Sequence, residues 1–300
     1  MRSYISHCDI ECSLTGVEVS IERRSPPSAD PAADPSAKPS RDDPLQVASV
    51  AKAFRLIDAF GRASGDLGLA ELAELSGLDR SATQRFAHTL WRLGYLDKDE
   101  RTRRFRLGKR VLDAAFDFLR VDGLVERATP ALIELRHACG ERANLSLHDD
   151  TTMIYAIRQQ TKREYFAATL IGRRIPVFCT AGGRAVLSRL PEAAARSIVA
   201  RSDLAPLTPR TICDPDAIMD RVRTAAADGF AMAVEETTPG EITAGAAVID
   251  AAGQPVAAVH IAASTVDWSP KAFAERFGPL VRETARSLSQ GPRPVPDRGR

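Results

Sequence analysis

The chain has few cysteines, no long hydrophobic run and almost no excess of either charge. Its 300 residues contain no stretch of about 18 consecutive apolar residues, so neither a membrane-spanning helix nor a membrane partner is expected. No continuous apolar segment follows Arg2, which argues against a secretory signal. The formal net charge is +2 at pH 7, which excludes a uniformly basic protein that coats nucleic acid. Any affinity for nucleic acid must therefore be local.

Cysteine usage favours the reducing cytoplasm over a disulfide framework. The five cysteines are odd in number and scattered along the chain: Cys8, Cys12, Cys139, Cys179 and Cys213. His7, Cys8 and Cys12 are close enough in sequence to suggest zinc ligands, but no second pair of such residues follows. An incidental cluster is the simpler interpretation, so no metal and no cofactor are expected.

Composition separates the two ends of the chain from the rest. Residues 22–44 are rich in Pro, Ala, Ser and Asp, and such a segment cannot bury enough apolar area to offset its ordering entropy. A disordered extension is predicted over 1–44 and a disordered tail over 291–300. Three units are predicted between them: a winged helix-turn-helix domain over 45–108, a linker helix over 109–122 and a second domain over 123–290.

Residues 69–93 have the pattern of a helix-turn-helix. Gly77 can take the positive φ that ends the first helix, and Asp79 can cap the next helix through its carboxylate. The second helix, Arg80–Leu93, has one polar face that can contact base edges or phosphates in a major groove: Ser81, Gln84, Arg85 and His88. Its apolar face is Ala82, Phe86, Leu90 and Leu93. Apolar residues at helical spacing predict a preceding helix: Val47, Val50, Phe54, Ile57 and Phe60.

The segment after this helix is predicted to form a β-hairpin wing. Gly94–Lys98 and Arg103–Leu107 resemble two strands around a turn, with Phe105 and Leu107 facing inward and Arg104 and Arg106 facing outward. Ten basic and three acidic residues lie between Arg80 and Arg110, a local surplus of +7 that suits a phosphate backbone. A solvated basic face is the alternative. The predicted DNA contacts are Arg80, Ser81, Thr83, Gln84, Arg85, His88, Arg103, Arg104 and Arg106.

The rest of the chain mixes helices with short strands and predicts an α+β domain with a mixed or antiparallel sheet. The predicted strands are Asn144–Leu147, Met153–Arg158, Phe166–Leu170, Thr243–Asp250 and Pro255–Ser264. The predicted helices are Lys109–Leu119, Leu124–Cys139, Ala181–Arg189, Glu192–Ala200, Pro215–Asp228 and Pro270–Leu288.

Over residues 45–290 the chain resembles the IclR family of bacterial transcriptional regulators. The likeness rests on an ordered series of short motifs: Ala73–Leu78, Ser81, Arg85, Leu93–Tyr95, Arg104–Gly108, Ile171–Pro176, Thr180–Ala185, Gly229, Phe230, Glu235, Glu236 and Gly240. The resemblance implies an N-terminal winged helix, a GAF-like effector-binding domain and assembly into dimers or tetramers. It also implies control of operator DNA by small organic acids. Two positions depart from the family pattern, Leu69 at a helix start and Ala82 where a hydroxyl residue is common.

A candidate effector site lies where the loop at Cys179 turns into a helix. Backbone N–H groups at a helix start favour an anion such as a carboxylate, and Gly182 and Gly183 permit close approach of a ligand. A plain helix start with glycines for packing is the alternative. The family resemblance places this turn at the ligand pocket.

Two strands are expected to supply the floor of that pocket. His260 is a polar residue on a strand face otherwise made of Val256, Ala258, Ala262 and Ser264. It could bond a ligand carboxylate or change charge on binding, or it could be a core histidine satisfied by backbone. Small residues around it could leave room for a ligand or permit close helix packing. By resemblance Thr243 also lines the pocket, and the predicted effector contacts are Thr180, Ala181, Gly182, Glu235, Thr243, His260 and Ala262.

The function predicted is that of a cytoplasmic, homo-oligomeric DNA-binding regulator that responds to a small organic acid and is not an enzyme. One alternative is a small-molecule-binding enzyme with an appended winged helix, using Cys179 and His260 as nucleophile and base. Glu235 and Glu236 are a weak acid–base pair, because neighbours on a strand point to opposite faces. A winged helix used only for protein contacts is a second alternative, and it would lack strongly salt-dependent DNA binding.

Overall fold

The computed structural model of the protein describes residues 45–161 and 171–290. The predicted disordered ends, the cluster at His7, Cys8 and Cys12, and the predicted strand Phe166–Leu170 lie outside these ranges. The N-terminal domain consists of helices α1 (Ala48–Ala59), α2 (Leu69–Ser76) and α3 (Arg80–Arg92), a short 3-10 helix (Phe60–Arg62), and strands β1 (Leu96–Lys98) and β2 (Phe105–Leu107).

The turn between α2 and α3 has the chemistry that the sequence predicts. Gly77 ends α2 with φ +65°, and the Asp79 carboxylate accepts a hydrogen bond from the Ala82 backbone N–H at 2.8 Å. Strands β1 and β2 form an antiparallel hairpin. Leu67 adds two backbone hydrogen bonds to Phe105, each 2.8 Å long, so the wing is also attached to the segment before α2.

Several apolar side chains that were expected to pack inward are exposed. On α1, Val50 and Phe54 are more than half exposed, while the core contacts come from Leu56 and Ala59. Leu93 and Leu107 are also exposed. The spacing on α1 predicts the helix correctly but not the face that enters the core, because a wide apolar stripe leaves its orientation open.

The second part of the chain begins with α4 (Val111–Val121) and is built on one six-stranded antiparallel sheet. Its helices are α5 (Gly123–Cys139), α6 (Ala181–Leu187), α7 (Glu192–Arg201), α8 (Pro215–Asp228) and α9 (Pro270–Leu288). Its strands are β3 (Arg142–Asp149), β4 (Thr152–Gln159), β5 (Arg174–Pro176), β6 (Ala231–Val234), β7 (Glu241–Ile249) and β8 (Pro255–Ser264), in the order β5-β4-β3-β8-β7-β6.

The two faces of this sheet pack against different helices. Helices α5 and α9 cover one face, where Leu132 and Phe277 meet alternate β8 residues such as Val259 and Ile261. Helix α6, backed by α7 and α8, covers the other face, which includes Ala258. The α+β class and the antiparallel sheet are therefore confirmed. Strands β5 and β6 were missed because three or four residues are too few for a strand pattern to emerge.

Glycines allow α6 to lie directly on the sheet. A Cβ at Gly183 would stand 2.6 Å from Cα of Val177 and would also collide with the carbonyl oxygen of that residue. A Cβ at Gly245 on β7 would lie 2.9 Å from the backbone nitrogen of Gly182. Close packing is thus one reason for the glycine-rich start of α6. None of the helices in the described ranges combines the length and apolarity needed to cross a bilayer.

Substituting Gly183 by alanine should destabilise the second domain. The added methyl would meet backbone atoms that cannot rotate away, and overpacking of this kind costs about 1–3 kcal/mol or more. We expect a lower urea midpoint for the unfolding transition of the Gly183→Ala protein. The matched control is Gly65→Ala, where no described atom lies within 4 Å of the new Cβ. Equal midpoints for the two variants would contradict the close packing of α6.

Candidate DNA-binding surface and effector cavity

Helix α3 and the wing enclose a groove of ≈ 770 Å³ on the surface of the N-terminal domain. Its walls and floor are formed by Leu69, Ser81, Gln84, Arg85, His88, Thr89, Trp91, Lys98, Arg103 and Phe105. The structure thus brings together five of the predicted DNA contacts, namely Ser81, Gln84, Arg85, His88 and Arg103. A polar helix face beside a basic hairpin is the arrangement that a winged helix presents to a DNA duplex.

Four other predicted contacts lie outside the groove. Thr83 is fully buried, and its hydroxyl donates to the carbonyl oxygen of Asp79, so the prediction that it contacts DNA is wrong. Arg80 and Arg106 are exposed beside the groove, and Arg106 stands 3.9 Å from Asp97. Arg104 turns away from the groove toward α2.

Five groove residues were not among the predicted DNA contacts, and Trp91 and Lys98 are two of them. Lys98 places its ammonium 5.4 Å from the ring centroid of Trp91 and 5.8 Å from that of Phe105. His88 packs edge-on against the same tryptophan, with ring centroids 5.5 Å apart. The aromatic rings hold a lysine and a histidine at the floor of a basic groove. In the sequence, the only signal for Lys98 was the high density of basic residues between Arg80 and Arg110.

The tip of the wing is strained at Arg103. This residue has φ +58°, a left-handed conformation that is costly for a side chain with a Cβ. Asp99 stabilises the tip, since its carboxylate accepts hydrogen bonds from the backbone N–H groups of Arg101 and Thr102 at 2.9 and 2.6 Å. Strained positions concentrate at functional sites, and the side chain of Arg103 lines the groove.

A second, enclosed cavity lies between α6 and the sheet. Five predicted effector contacts line it, namely Thr180, Ala181, Gly182, Thr243 and His260. The remaining lining residues are Ser146, Tyr155, Ile175, Thr237 and Glu241. The space that the centre of a water molecule can reach inside the cavity is ≈ 10 Å³, enough for about one water.

The floor of the cavity holds buried polar atoms without hydrogen-bond partners in the described part of the chain. These atoms are Oγ of Ser146 and Nε2 of His260, and Oδ1 of Asn144 lies beside them on the same sheet face. A buried polar group without a partner is costly, so such groups mark positions that a ligand or a water can satisfy. The alternative that His260 is satisfied by backbone is therefore not supported at Nε2.

His260 remains neutral across the physiological range. Burial, together with the positive charges of Arg142 and Arg158, lowers its pKa to about 3. The aromatic ring of Tyr155 lies 5.3 Å from the His260 ring, and burial raises the pKa of this tyrosine to about 12. Both side chains act as neutral hydrogen-bonding groups, so the hypothesis that His260 changes charge on binding is not supported.

Charged side chains of both signs act on the cavity. Arg142, Arg158 and Arg173 all act electrostatically on Tyr155, and the only acidic side chain among the cavity's lining residues is Glu241, which pairs with Arg142. This pair is itself largely buried.

Two predicted effector contacts do not line the cavity. Glu235 has φ +55°, and its carboxylate binds Arg210 at 2.9 Å and the backbone N–H of Gly240 at 2.9 Å. Ala262 is buried beside Thr243 on the sheet. Glu235 directly follows the end of β6 at Val234, so the prediction that it contacts the effector has no support from this cavity.

The groups needed for an enzyme are also poorly placed. Burial raises the pKa of the Cys179 thiol to about 12, so its nucleophilic thiolate is strongly disfavoured. Glu236 is buried in a bidentate ion pair with Arg184, whereas Glu235 binds other partners. Within residues 45–161 and 171–290, no cluster of histidine, cysteine and carboxylate side chains could hold a metal ion.

Comparison with known families identifies both parts of the chain. The profile described as the IclR helix-turn-helix domain matches residues 49–100, and that of the bacterial transcriptional regulator IclR C-terminal domain matches residues 116–290. The chain belongs to the IclR family. This IclR-family protein is a transcriptional regulator with a DNA-binding helix-turn-helix domain and an effector-binding domain.

Named regulators of this family are similar over most of their length. The Pca regulon regulatory protein of Pseudomonas putida is 28% identical over 247 residues, which cover 82% of this chain and 84% of that protein. The p-hydroxybenzoate hydroxylase transcriptional activator of Acinetobacter baylyi is also 28% identical over 247 residues, covering 81% and 90%.

Solved structures of the family share the fold. An IclR transcriptional regulator from Alicyclobacillus acidocaldarius superimposes with a TM-score of 0.71 at 22% identity, covering 81% of this chain and 98% of that one. An IclR homologue from Microbacterium hydrocarbonoxydans, complexed with 4-hydroxybenzoate, superimposes with a TM-score of 0.65 at 18% identity, covering 80% and 97%. At these identities the likeness shows the fold alone.

Replacing His260 of this IclR-family protein by glutamine should flatten the acid side of its stability profile. The folded chain keeps His260 neutral to about pH 3, while the unfolded chain protonates it below its ordinary pKa of 6.5. Stability is therefore lost as pH falls from 6.5 toward 3, by about 2 kcal/mol at pH 5 from this residue alone. Urea unfolding at pH 7.5 and pH 5 measures the loss. An equal loss in the wild type and the His260→Gln protein would show that His260 does not titrate in this way.

Proposed function

We propose that this protein binds operator DNA through the groove between α3 and the wing, and that a small organic acid in the cavity beside α6 changes its affinity for the operator. The DNA-binding part rests on the meeting of Ser81, Gln84, Arg85 and His88 with the basic wing at one groove. Arginine and glutamine on such a helix face are able to read base edges in a major groove. The polar, buried floor at Ser146 and His260 is the observation that carries the effector part.

Homo-oligomer formation is the next part of the proposal. Helices α1 and α4 each carry apolar side chains exposed to solvent, including Val50, Phe54, Leu112 and Phe116. Single exposed apolar residues are common, but rows of them along two helices favour a second copy of the chain as partner. A two-fold dimer would place two winged domains on the half-sites of a near-palindromic operator.

An anionic effector fits the charges around the cavity. Arg142 pairs with the lining carboxylate of Glu241, Arg158 and Arg173 also act electrostatically on Tyr155, and the hydrogen-bonding groups within are neutral. The relatives suggest which chemical class of effector to test first, because one is named for p-hydroxybenzoate hydroxylase and another was solved with 4-hydroxybenzoate. Small hydroxylated aromatic acids are therefore the first candidates among organic acids.

Effector binding would act by shifting the balance between arrangements of the DNA-binding domains. A ligand changes an equilibrium only by its difference in affinity for the two states. Linker helix α4 and helix α5 join the two parts of the chain, and they carry any movement of the effector domain toward the winged domain. An enzyme with an appended winged helix is the alternative, and turnover of the bound acid would reveal it.

Arg85→Ala should reduce binding to specific DNA more than binding to random DNA. If Arg85 reads a base edge, its loss should cost about 1–3 kcal/mol on a duplex selected from a random pool by the wild-type protein, and little on an unselected duplex. Fluorescence anisotropy measures both affinities. Arg92→Ala is the matched control, since Arg92 is exposed on α3 outside the groove. Equal losses on both duplexes would make Arg85 a phosphate contact.

Gly182→Ala should reduce the response to the effector. The new methyl group would lie 3.2 Å from Cβ of Ala258 and 3.3 Å from Oγ of Ser146, so it would fill the floor of the cavity. Titration calorimetry with 4-hydroxybenzoate, 3-hydroxybenzoate and benzoate should show weaker or no binding relative to the wild type, with Gly65→Ala as control. A thermal melt verifies folding. A folded Gly182→Ala protein that binds these acids as the wild type does would place the effector site elsewhere.

A further inference from the structure

The guanidinium of Arg104 makes four hydrogen bonds within the protein, whereas that of Arg103 makes one, to Glu100. Its Nη2 donates to both carboxylate oxygens of Glu71, at 2.7 and 3.0 Å. Its Nε and Nη2 also donate to the backbone carbonyl oxygen of Asp66, at 3.0 and 2.7 Å. A planar guanidinium can bind two acceptors at fixed angles in this way, which a lysine ammonium on its flexible stem does not reproduce.

The partners of Arg104 belong to the start of helix α2. Glu71 also accepts a hydrogen bond from the backbone N–H of Gly68 at 2.7 Å, which satisfies a donor just before the helix. That bond and Arg104 together lower the pKa of the Glu71 carboxyl, so the pair is charged at neutral pH. Between these contacts, the backbones of Leu67 and Phe105 exchange two hydrogen bonds.

All of these contacts join the wing, at Arg104 and Phe105, to the segment that runs from Asp66 to Glu71. The backbone bridge at Leu67 and Phe105 has only one residue pair, and such a short pairing needs support from side chains to hold a fixed geometry. The hydrogen bonds from the Arg104 guanidinium to Asp66 and Glu71 lie directly beside this bridge. Because α2 packs on α3, this junction helps to set the position of the wing relative to the recognition helix, together with direct contacts between β1 and α3.

We propose that Arg104 and Glu71 form a clamp that positions the wing for DNA binding, and that Arg104 is a positioning residue and not a phosphate contact. This differs from the role expected of Arg104 from the sequence, where it counted among the outward-facing basic residues. The wing arginine at the groove is its neighbour Arg103. The proposal rests on DNA binding by the winged domain.

The sign of the effect of Glu71→Gln separates a clamp from a phosphate contact. Glutamine keeps the shape of the side chain and an acceptor for the Gly68 N–H, but it removes the charge that holds Arg104. If the pair is a clamp, Glu71→Gln weakens binding to a random-sequence duplex although it removes a negative charge. If Arg104 binds phosphate, the same change frees a cation and tightens binding.

Lysine substitution gives a second, independent comparison. A lysine binds phosphate well as a point charge but cannot form the fork to Asp66 and Glu71. Arg104→Lys should therefore weaken DNA binding several-fold, nearly as much as Arg104→Ala. At the control position, Arg103→Lys should retain most of the affinity that Arg103→Ala loses.

Hydrogen–deuterium exchange on the full chain tests the clamp without DNA. The amides of Leu67 and Phe105 should exchange faster in Glu71→Gln and Arg104→Lys, while Arg103→Lys and the amides of the second domain remain as in the wild type. Unchanged exchange at both amides, tighter DNA binding by Glu71→Gln, or near-wild-type binding by Arg104→Lys would each overturn the proposal. If the wild-type protein binds no duplex, the proposed DNA binding is refuted. The exchange data would still show whether Arg104 and Glu71 hold the wing in place.

Discussion

The buried ion pair between Arg184 and Glu236 is the interaction on which the effector domain's architecture depends. Two nearly parallel hydrogen bonds of 2.5 and 2.6 Å join the side chains, and both residues are almost fully buried. Arg184 also donates to the carbonyl oxygen of Phe178, and Glu236 accepts from the backbone N–H of Ile212. Removal of one partner from a buried pair typically costs about 3–5 kcal/mol, because the other charge is left unpaired.

This pair fixes the helix that closes the cavity. Arg184 lies on α6, and Glu236 follows β6, so the pair holds the helix against the edge of the sheet, while Gly183 and Gly245 allow the backbones to approach. Thr208 and Thr211 add hydroxyl bonds to the carbonyl oxygens of Glu235 and Glu236, each 2.6 Å long. The ion pair, the hydroxyl hydrogen bonds and the glycines therefore all favour a short distance between α6 and the sheet.

Local chemistry was predictable from the sequence, whereas side-chain direction was not. Gly77 and Asp79 act on neighbouring residues only, so their roles could be inferred before any fold was known. Thr83 and Glu235 were assigned to ligands, but the first bonds back to its own helix and the second lies beyond the end of β6. Ser146 was missed because a single serine in a strand gives no signal until β3 is placed beneath α6. The long strand β8 is an exception, because alternation alone assigned its residues to the two faces of the sheet.

The small size of the effector cavity has a consequence for how a signal could arise. A cavity that admits about one water cannot enclose an organic acid without moving its walls. The ion pair and the glycine contacts hold α6 against the sheet, so room for a ligand has to come from movement of the other cavity walls, which include Tyr155, Ile175 and Glu241. Deforming the domain costs free energy, which offsets part of the favourable contacts with the ligand. The affinity is lower for this reason, but the same deformation makes the occupied and empty proteins differ in shape.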